Sequence, residues 1–223
     1  CRTVFPCVLV AFRISYILIN GGINVNATNT HGKTVLHYSI ISQQHKYVQM
    51  LLLHVKQLDC SIKDVLGHTA LYIAIEMNDI RLVRMLLESS SEKGIGNVTG
   101  SNEMKIVQYR YRQNANPNDA NLKGETCLML CSICNVQLPI VKLLLMHGAN
   151  VNARDHRDET VLMYAVQRGQ EDLVHLLLSY GADRYLTNRQ NDNSIDLANL
   201  LEKKRIVNIL QNRRGSYAST VEV

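Results

Sequence analysis

The chain has no tryptophan and only two phenylalanines, so leucine, isoleucine and valine must carry the packing of its 46% hydrophobic content. It also lacks a strong charge excess. At +5 over 223 residues it is less basic than a nucleic-acid binder, which shows a concentrated cationic patch, and no nucleic-acid partner is expected. Long apolar runs are missing too: the nearest approach, Val4–Ile19, is short for a membrane span and is interrupted by Pro6 and Arg13. It reads as packing surface, and no membrane partner is expected. Six cysteines, at 1, 7, 60, 127, 131 and 134, are too few and too irregular for a disulfide-stapled secreted module. That points to a cytoplasmic location, with the nucleus as the alternative if Lys203-Lys204-Arg205 and Arg213-Arg214 act as a signal rather than a solvated face. The chain begins with cysteine rather than methionine and reads as a fragment or processed product.

Chemistry-bearing patterns are equally scarce. No serine, histidine and carboxylate fall into a recognisable catalytic arrangement, so the chain is read as no enzyme. Gly94, Gly96 and Gly100 lack the preceding strand and the spacing of a nucleotide loop, and no cofactor is expected. Cys127, Cys131 and Cys134 have no second cysteine pair or histidine pair to complete a tetrahedral site. No metal is expected there.

What is present is a unit, clearest over 159–185. Thr160 stands where a helix N-cap is wanted, because its hydroxyl can accept from a free amide of the first turn. Val161, Leu162, Ala165 and Val166 follow at helical spacing. Gly169 can take the left-handed conformation that closes a helix. Glu171 and Asp172 then open a second helix, where the dipole favours negative charge. Leu173, Val174, Leu176, Leu177 and Leu178 carry it to Gly181. Two helices of about two turns cannot bury their apolar faces alone and need neighbours built the same way.

Those neighbours are in the sequence. Thr34–Ser39 precedes Tyr47–Leu52, Thr69–Ala74 precedes Leu82–Leu87, Thr126–Cys131 precedes Ile140–Leu145, and Asn193–Ala198 precedes Ile206–Leu210. The cap positions 34, 69, 126, 160 and 193 are separated by steps of 35, 57, 34 and 33. This period, with Thr34–His37 at the inner helix and Gly148–Asn152 and Gly181–Asp183 at the turns, resembles the ankyrin repeat over about residues 14 to 211. The resemblance implies an all-α solenoid of stacked helix-turn-helix units with hairpin loops, about five repeats plus an N-terminal partial one. It also places Cys127 and Cys131 in small apolar slots of an inner helix, and gives His37 the role of tying neighbouring repeats by hydrogen bonds.

The expected organisation is an N-terminal segment and partial repeat over 1–26, repeats one and two over 27–88, and an insertion over 89–119. Repeats three to five follow over 120–211, and a flexible tail over 212–223. The insertion makes the 57-residue step 24 longer than one repeat. Ser89–Ser101 has a loop's composition, and Met104–Arg112 resumes a helical pattern. The insertion is expected to carry an extra or vestigial outer helix, and sequence leaves open whether Ile80–Leu87, Ile106–Arg112 or both pack in the outer layer. Repeat five is more polar, with Asp196, Glu202, Lys203, Lys204 and Arg205, as a terminal unit facing water must be.

By the same resemblance, hairpin tips and the exposed shoulders of the inner helices line a concave protein-binding face. The tips are Thr30, His31 and Lys33; Val65, Leu66 and His68; Leu122, Lys123 and Glu125; His156, Arg157 and Glu159; Arg189, Gln190 and Asp192. The shoulders are Ile41, Glu76, Met77, Ile133, Gln167 and Arg168. The expected activity is that of a non-catalytic scaffold or adaptor, monomeric, with a protein partner. The alternatives are a targeting or regulatory segment of a larger enzyme, such as a kinase or ubiquitin-ligase subunit, and a host-directed pathogen effector. Asn26 and Asn152, each eight residues after a leucine, are candidate hydroxylation sites by the same likeness.

Overall fold

The computed structural model of the chain describes residues 24–55, 57–88 and 115–211. Among them are ten helices in five antiparallel pairs: α1 Val35–Ile41 and α2 His45–His54, α3 Ala70–Glu76 and α4 Ile80–Glu88, α5 Cys127–Ile133 and α6 Leu138–Met146, α7 Val161–Arg168 and α8 Glu171–Ser179, α9 Ser194–Leu200 and α10 Lys204–Gln211. The inner helices α1, α3, α5, α7 and α9 pack each on the next, and each carries its outer partner behind it. The fold is an all-α ankyrin solenoid.

Each inner helix starts for the same reason. Thr34, Thr69, Thr126, Thr160 and Asn193 are extended N-caps whose side chains accept the amide three residues on, satisfying a donor the first turn leaves free. Pro139 lies in the first turn of α6, where a missing N–H costs nothing. Inner and outer helices are joined by a residue in the left-handed region: Gln43, Asn78, Asn135, Gly169 and Glu202. Gly169 carries that signal most plainly, and Asn78 and Asn135 more weakly.

The fifth position of every inner helix is small and buried: Ser39, Ala74, Cys131, Ala165 and Ala198. This lets neighbouring inner helices approach closely. Leu36, Ile40, Leu71, Ile75, Leu82, Leu86, Leu128, Met129, Ile140 and Leu144, from inner and outer helices alike, are all fully buried. Burying one such side chain contributes about 1.5–3 kcal/mol, which makes the interlocked core, rather than any single short helix, the source of stability.

Two polar ladders run alongside. At the tips, Asn29, Asp64, Asn121, Asp155 and Asn188 each accept the amides two and four residues ahead through Oδ1. Each tip is bonded to the one before by one backbone link: Val65 N–H to His31 O, Leu122 to Leu66, His156 to Lys123, Arg189 to Arg157. At the other turns, Asn26, Asn118 and Asn152 make one pattern. Each amide donates to the carbonyl of Gln57, Gly148 or Gly181, and each side-chain oxygen accepts from the N–H of Asp59, Asn150 or Asp183.

The question of the outer helix in repeat two is settled by packing. α4 lies against α2, α3 and α6, so 80–88 is the outer helix, and α3 packs directly on α5 across the long step. Ala115 is buried and its N–H bonds the Leu86 carbonyl at 3.1 Å, as Ala149 bonds Leu144 and Ala182 bonds Leu177. Chain between Glu88 and Ala115 is therefore inserted without breaking the stack. The helical pattern at Met104–Arg112, the N-terminal segment 1–23 and the tail 212–223 lie outside the described residues.

Candidate protein-binding face

The inner-helix shoulder is fixed by counting. Seven residues after each cap stand Ile41, Glu76, Ile133, Gln167 and Leu200, and one further on stand Ser42, Met77, Cys134, Arg168 and Leu201. Of these, Ile41, Ser42, Glu76, Cys134, Arg168, Leu200 and Leu201 are exposed, and Met77, Ile133 and Gln167 are half-buried. Tips and shoulders form one surface: Gln167 donates to Glu159 at 2.9 Å, and the Cys134 thiol is influenced by Glu76 and Glu125 on one side and Arg168 on the other. Burial first, then Glu76, push that thiol above its ordinary value, with Arg168 opposing.

The apolar part is concentrated. Val65, Leu66 and Leu122 are 56%, 58% and 67% exposed and sit on tips joined by the Leu122–Leu66 backbone link. Ile41 is 40% exposed, while Met77 and Ile133 are half-buried and lean on the core. Exposed aliphatics gathered on adjoining tips, with no part in the core, mark an interaction surface.

The polar part is more tied down than residue types alone suggest. Arg157 is exposed, yet its guanidinium donates to the Tyr164 hydroxyl at 2.6 Å, pairs with Glu159 at 3.0 Å and Asp155 at 3.6 Å, and lies 5.7 Å over the Tyr164 ring. Burial holds the Tyr164 hydroxyl protonated, and it donates in turn to Asp155. Glu159 is buried and serves to hold Arg157. Arg189 lies 3.6 Å from Asp158. Lys33 is paired with buried Asp64 at 2.5 Å, and His68 stacks on Tyr72. Glu125 accepts from Asn121. Thr30, His31, Lys123, His156, Arg168 and Gln190 are exposed, and Asp192 is half-buried.

Three exposed apolar residues on this face escaped sequence reading: Tyr38, whose hydroxyl accepts from Asn29 at 2.7 Å, and Leu200 and Leu201. The count from Asn193 would have placed both leucines, but the polar character of repeat five drew attention from them. Asn26 and Asn152 are half-buried, their amides fully engaged in the turn ladder.

Among the described residues no group of three or more histidine, cysteine, aspartate or glutamate side chains is placed to hold a metal ion. Cys60, Cys127 and Cys131 are buried free thiols and Cys134 is exposed. Burial pushes Cys60 and Cys127 up to about 12, so neither offers a thiolate at neutral pH. No described helix is long and apolar enough to cross a membrane.

The profile of ankyrin repeats (three copies) matches residues 11–97 and 98–188. Among curated proteins, the chain is 27% identical over 205 residues to a B-cell lymphoma 3 protein homolog of Mus musculus, covering 91% of this chain and 40% of that one. It is 23% identical to an ankyrin repeat protein of fowlpox virus (strain NVSL), covering 78% of this chain and 34% of the other. It is 28% identical to potassium channel AKT2/3 of Arabidopsis thaliana, covering 85% and 20%. The chain thus spans two fifths or less of the length of these relatives. What they share with it is the repeat, and the chain belongs to the ankyrin-repeat family.

Proposed function

We propose that the chain is a non-catalytic scaffold or adaptor of the cytoplasm that holds one partner protein along the tips and shoulders. Ankyrin repeats form a protein–protein interaction module, and the observation that supports the site is the trio Val65, Leu66 and Leu122, exposed on a platform stiffened by the tip ladder. A partner segment with apolar side chains would sit over repeats one to three, and its carboxylates would meet Arg168 and Arg189 over repeats four and five. Arg168 has no carboxylate within ion-pairing distance among the described residues, whereas Arg157 is compensated twice within its own hairpin. A standard interface buries about 1,600 Å² in total, which about four repeats can supply.

The longer relatives favour a second reading, in which the array is the targeting or regulatory segment of a larger protein; it uses the same face. The test is binding of partners captured on the intact array to V65S/L66S/L122S and to R168E/R189E. The trio is expected to weaken affinity at least tenfold with the helical circular dichroism unchanged. Undiminished binding by both variants would remove this face from consideration.

A further inference from the structure

The seam between repeats one and two is built around histidine. Of the histidines whose side chains are described, only His37 is buried, at 1% exposure. Its Nδ1 accepts the Thr34 N–H at 3.1 Å and lies 2.8 Å from the Thr34 hydroxyl. Its Nε2 is 3.3 Å from the His68 carbonyl on the second hairpin. These contacts select one species, the neutral ring with its proton on Nε2, which uses both nitrogens. A second proton, at Nδ1, would face the Thr34 N–H as a second donor and cost that bond. The Thr34 hydroxyl could accept it only by turning its own proton away from the ring, which dismantles the capping box as built.

The outer edge of the same seam does not depend on that proton. His45 Nε2, at the start of α2, lies 2.7 Å from Asp79 Oδ2, at the start of α4. The Asp79 carboxylate also accepts the Arg81 and Leu82 amides, so it is held in place. An N–H on His45 Nε2 donates to that carboxylate whether or not the ring is charged. The outer edge therefore keeps its bond when the inner edge takes up a proton.

The groups around His37 do not rescue its charged form. The His68 carbonyl favours the charged ring but is outweighed by burial; Lys33 of the first hairpin and the His68 ring of the second disfavour it, and Asp64 favours it but is already bound to Lys33 and to the Leu66 and His68 amides. From α3, Tyr72 stacks on His68, and Glu76 is exposed at the far end of that helix. From α2 come His45, paired outward with Asp79, the exposed Lys46 and the half-buried Tyr47. Burial, the largest influence, holds His37 below its ordinary value. Between the other inner edges run Tyr72 with Asn121, Ser132 with Gln170 and Arg189 with Asp158, none of which involves a histidine.

We propose that this seam is an acid-opened hinge: protonation of His37 breaks its bond from the Thr34 N–H, dismantles the capping box and loosens the first hairpin and α1 from the second, while His45–Asp79 keeps α2 on α4. The opening would separate Val65 from His31 and spread Thr30, His31 and Ile41 from the aliphatic tips. Any consequence for binding rests on the proposed function; the opening itself does not.

The experiment is hydrogen exchange on the full chain without partner, expressed as protection factors from pH 7.5 to 5.0. Protection over 30–42 and 63–72 is expected to fall about tenfold per pH unit, starting near pH 6.5 and flattening at the folded value of His37, because the unfolded segment binds a proton the folded one refuses. Protection over 127–211 is expected to hold. His37→Gln should abolish the response, leaving one level of protection at all pH values. Should that variant fold poorly, imidazole nitrogen shifts of the unaltered chain decide: an Nε2–H tautomer of His37 at neutral pH supports the hinge, and an Nδ1–H tautomer overturns it. A loss of protection spread evenly over all five repeats, or a pH response retained in His37→Gln, would equally overturn it.

Discussion

Gly67 and Gly148 have nearly the same backbone, with φ of +80° and +82°, yet they sit in different surroundings. A Cβ on Gly67 would stand 2.7 Å from the Leu122 nitrogen, the atom that bonds this tip to the next, whereas a Cβ on Gly148 would meet nothing within 4 Å. Gly148→Ala therefore bears only the left-handed penalty, about 1 kcal/mol. Gly67→Ala bears that and must also push two backbones apart, for a loss of at least about 2 kcal/mol in all. Urea midpoints of the two variants measure the difference, and equal values would mean that the tips are not held together in solution. The same contrast shows what residue-level reading reaches. Threonine caps announce themselves because a hydroxyl has one obvious use before an apolar run. Asn78 and Asn135 belong to the type that tolerates positive φ best after glycine, whereas Gln43 and Glu202 take it with no sign in their identity, because the packed helices on either side impose it. Arg157 is placed at a tip by counting, but its clamp is not: two of the groups that hold it are its near neighbours Asp155 and Glu159, and the third, Tyr164, arrives from the helix that follows.

At the level of the helix, the third and sixth positions of each inner element face the following repeat. Tyr72, Met129 and Met163 are buried at the third, and Ile40, Ile75, Ser132 and Val166 at the sixth. In α9 these places hold Asp196 and Asn199, both exposed, and Asp196 turns back to cap its own helix through the Asn193 N–H. The face after repeat five is thus poorly suited to receive another unit. Replacing the two by Met and Val would recreate the stacking surface of α7 while leaving the core untouched. The double variant is expected to self-associate at micromolar concentration, as unpaired apolar faces do; light scattering on a sizing column would reveal it. A strictly monomeric variant would show that other features of repeat five guard that face. Sequence made the polar drift of this unit legible. It could not divide the polar residues into those that seal the stack and those, like Arg205 beside Glu171 at 3.9 Å, that only decorate the outer layer. Recognising Ile80–Leu87 as an outer helix was likewise beyond pattern, because Ile106–Arg112 carries a similar apolar stripe; the contacts of α4 with α2, α3 and α6 identify the first, and the second lies outside the described residues.

For the whole molecule, the decisive property is that the stack ignores the chain that connects it. Bonded partners at the end of an outer helix are five positions apart in Leu144–Ala149 and Leu177–Ala182, but 29 apart in Leu86–Ala115, with the same geometry of closure. Removing residues 89–112 would restore the spacing of five and join Glu88 to Gln113. Because α3 already packs on α5 and α4 on α6, no described interface needs the removed residues. Shortening a closed loop from about 29 residues to about 5 lowers the entropy cost of closure by about 1.5 kcal/mol when the segment adds nothing else. The deletion variant is therefore expected to keep its helical signal, melt as one cooperative unit and gain stability of that order. Calorimetry and urea unfolding would give the sign directly. A gain would mark the segment as an appendage free to serve another purpose. A loss, or a transition split between repeats one and two and repeats three to five, would mean that residues 89–112 clasp the two parts of the array together.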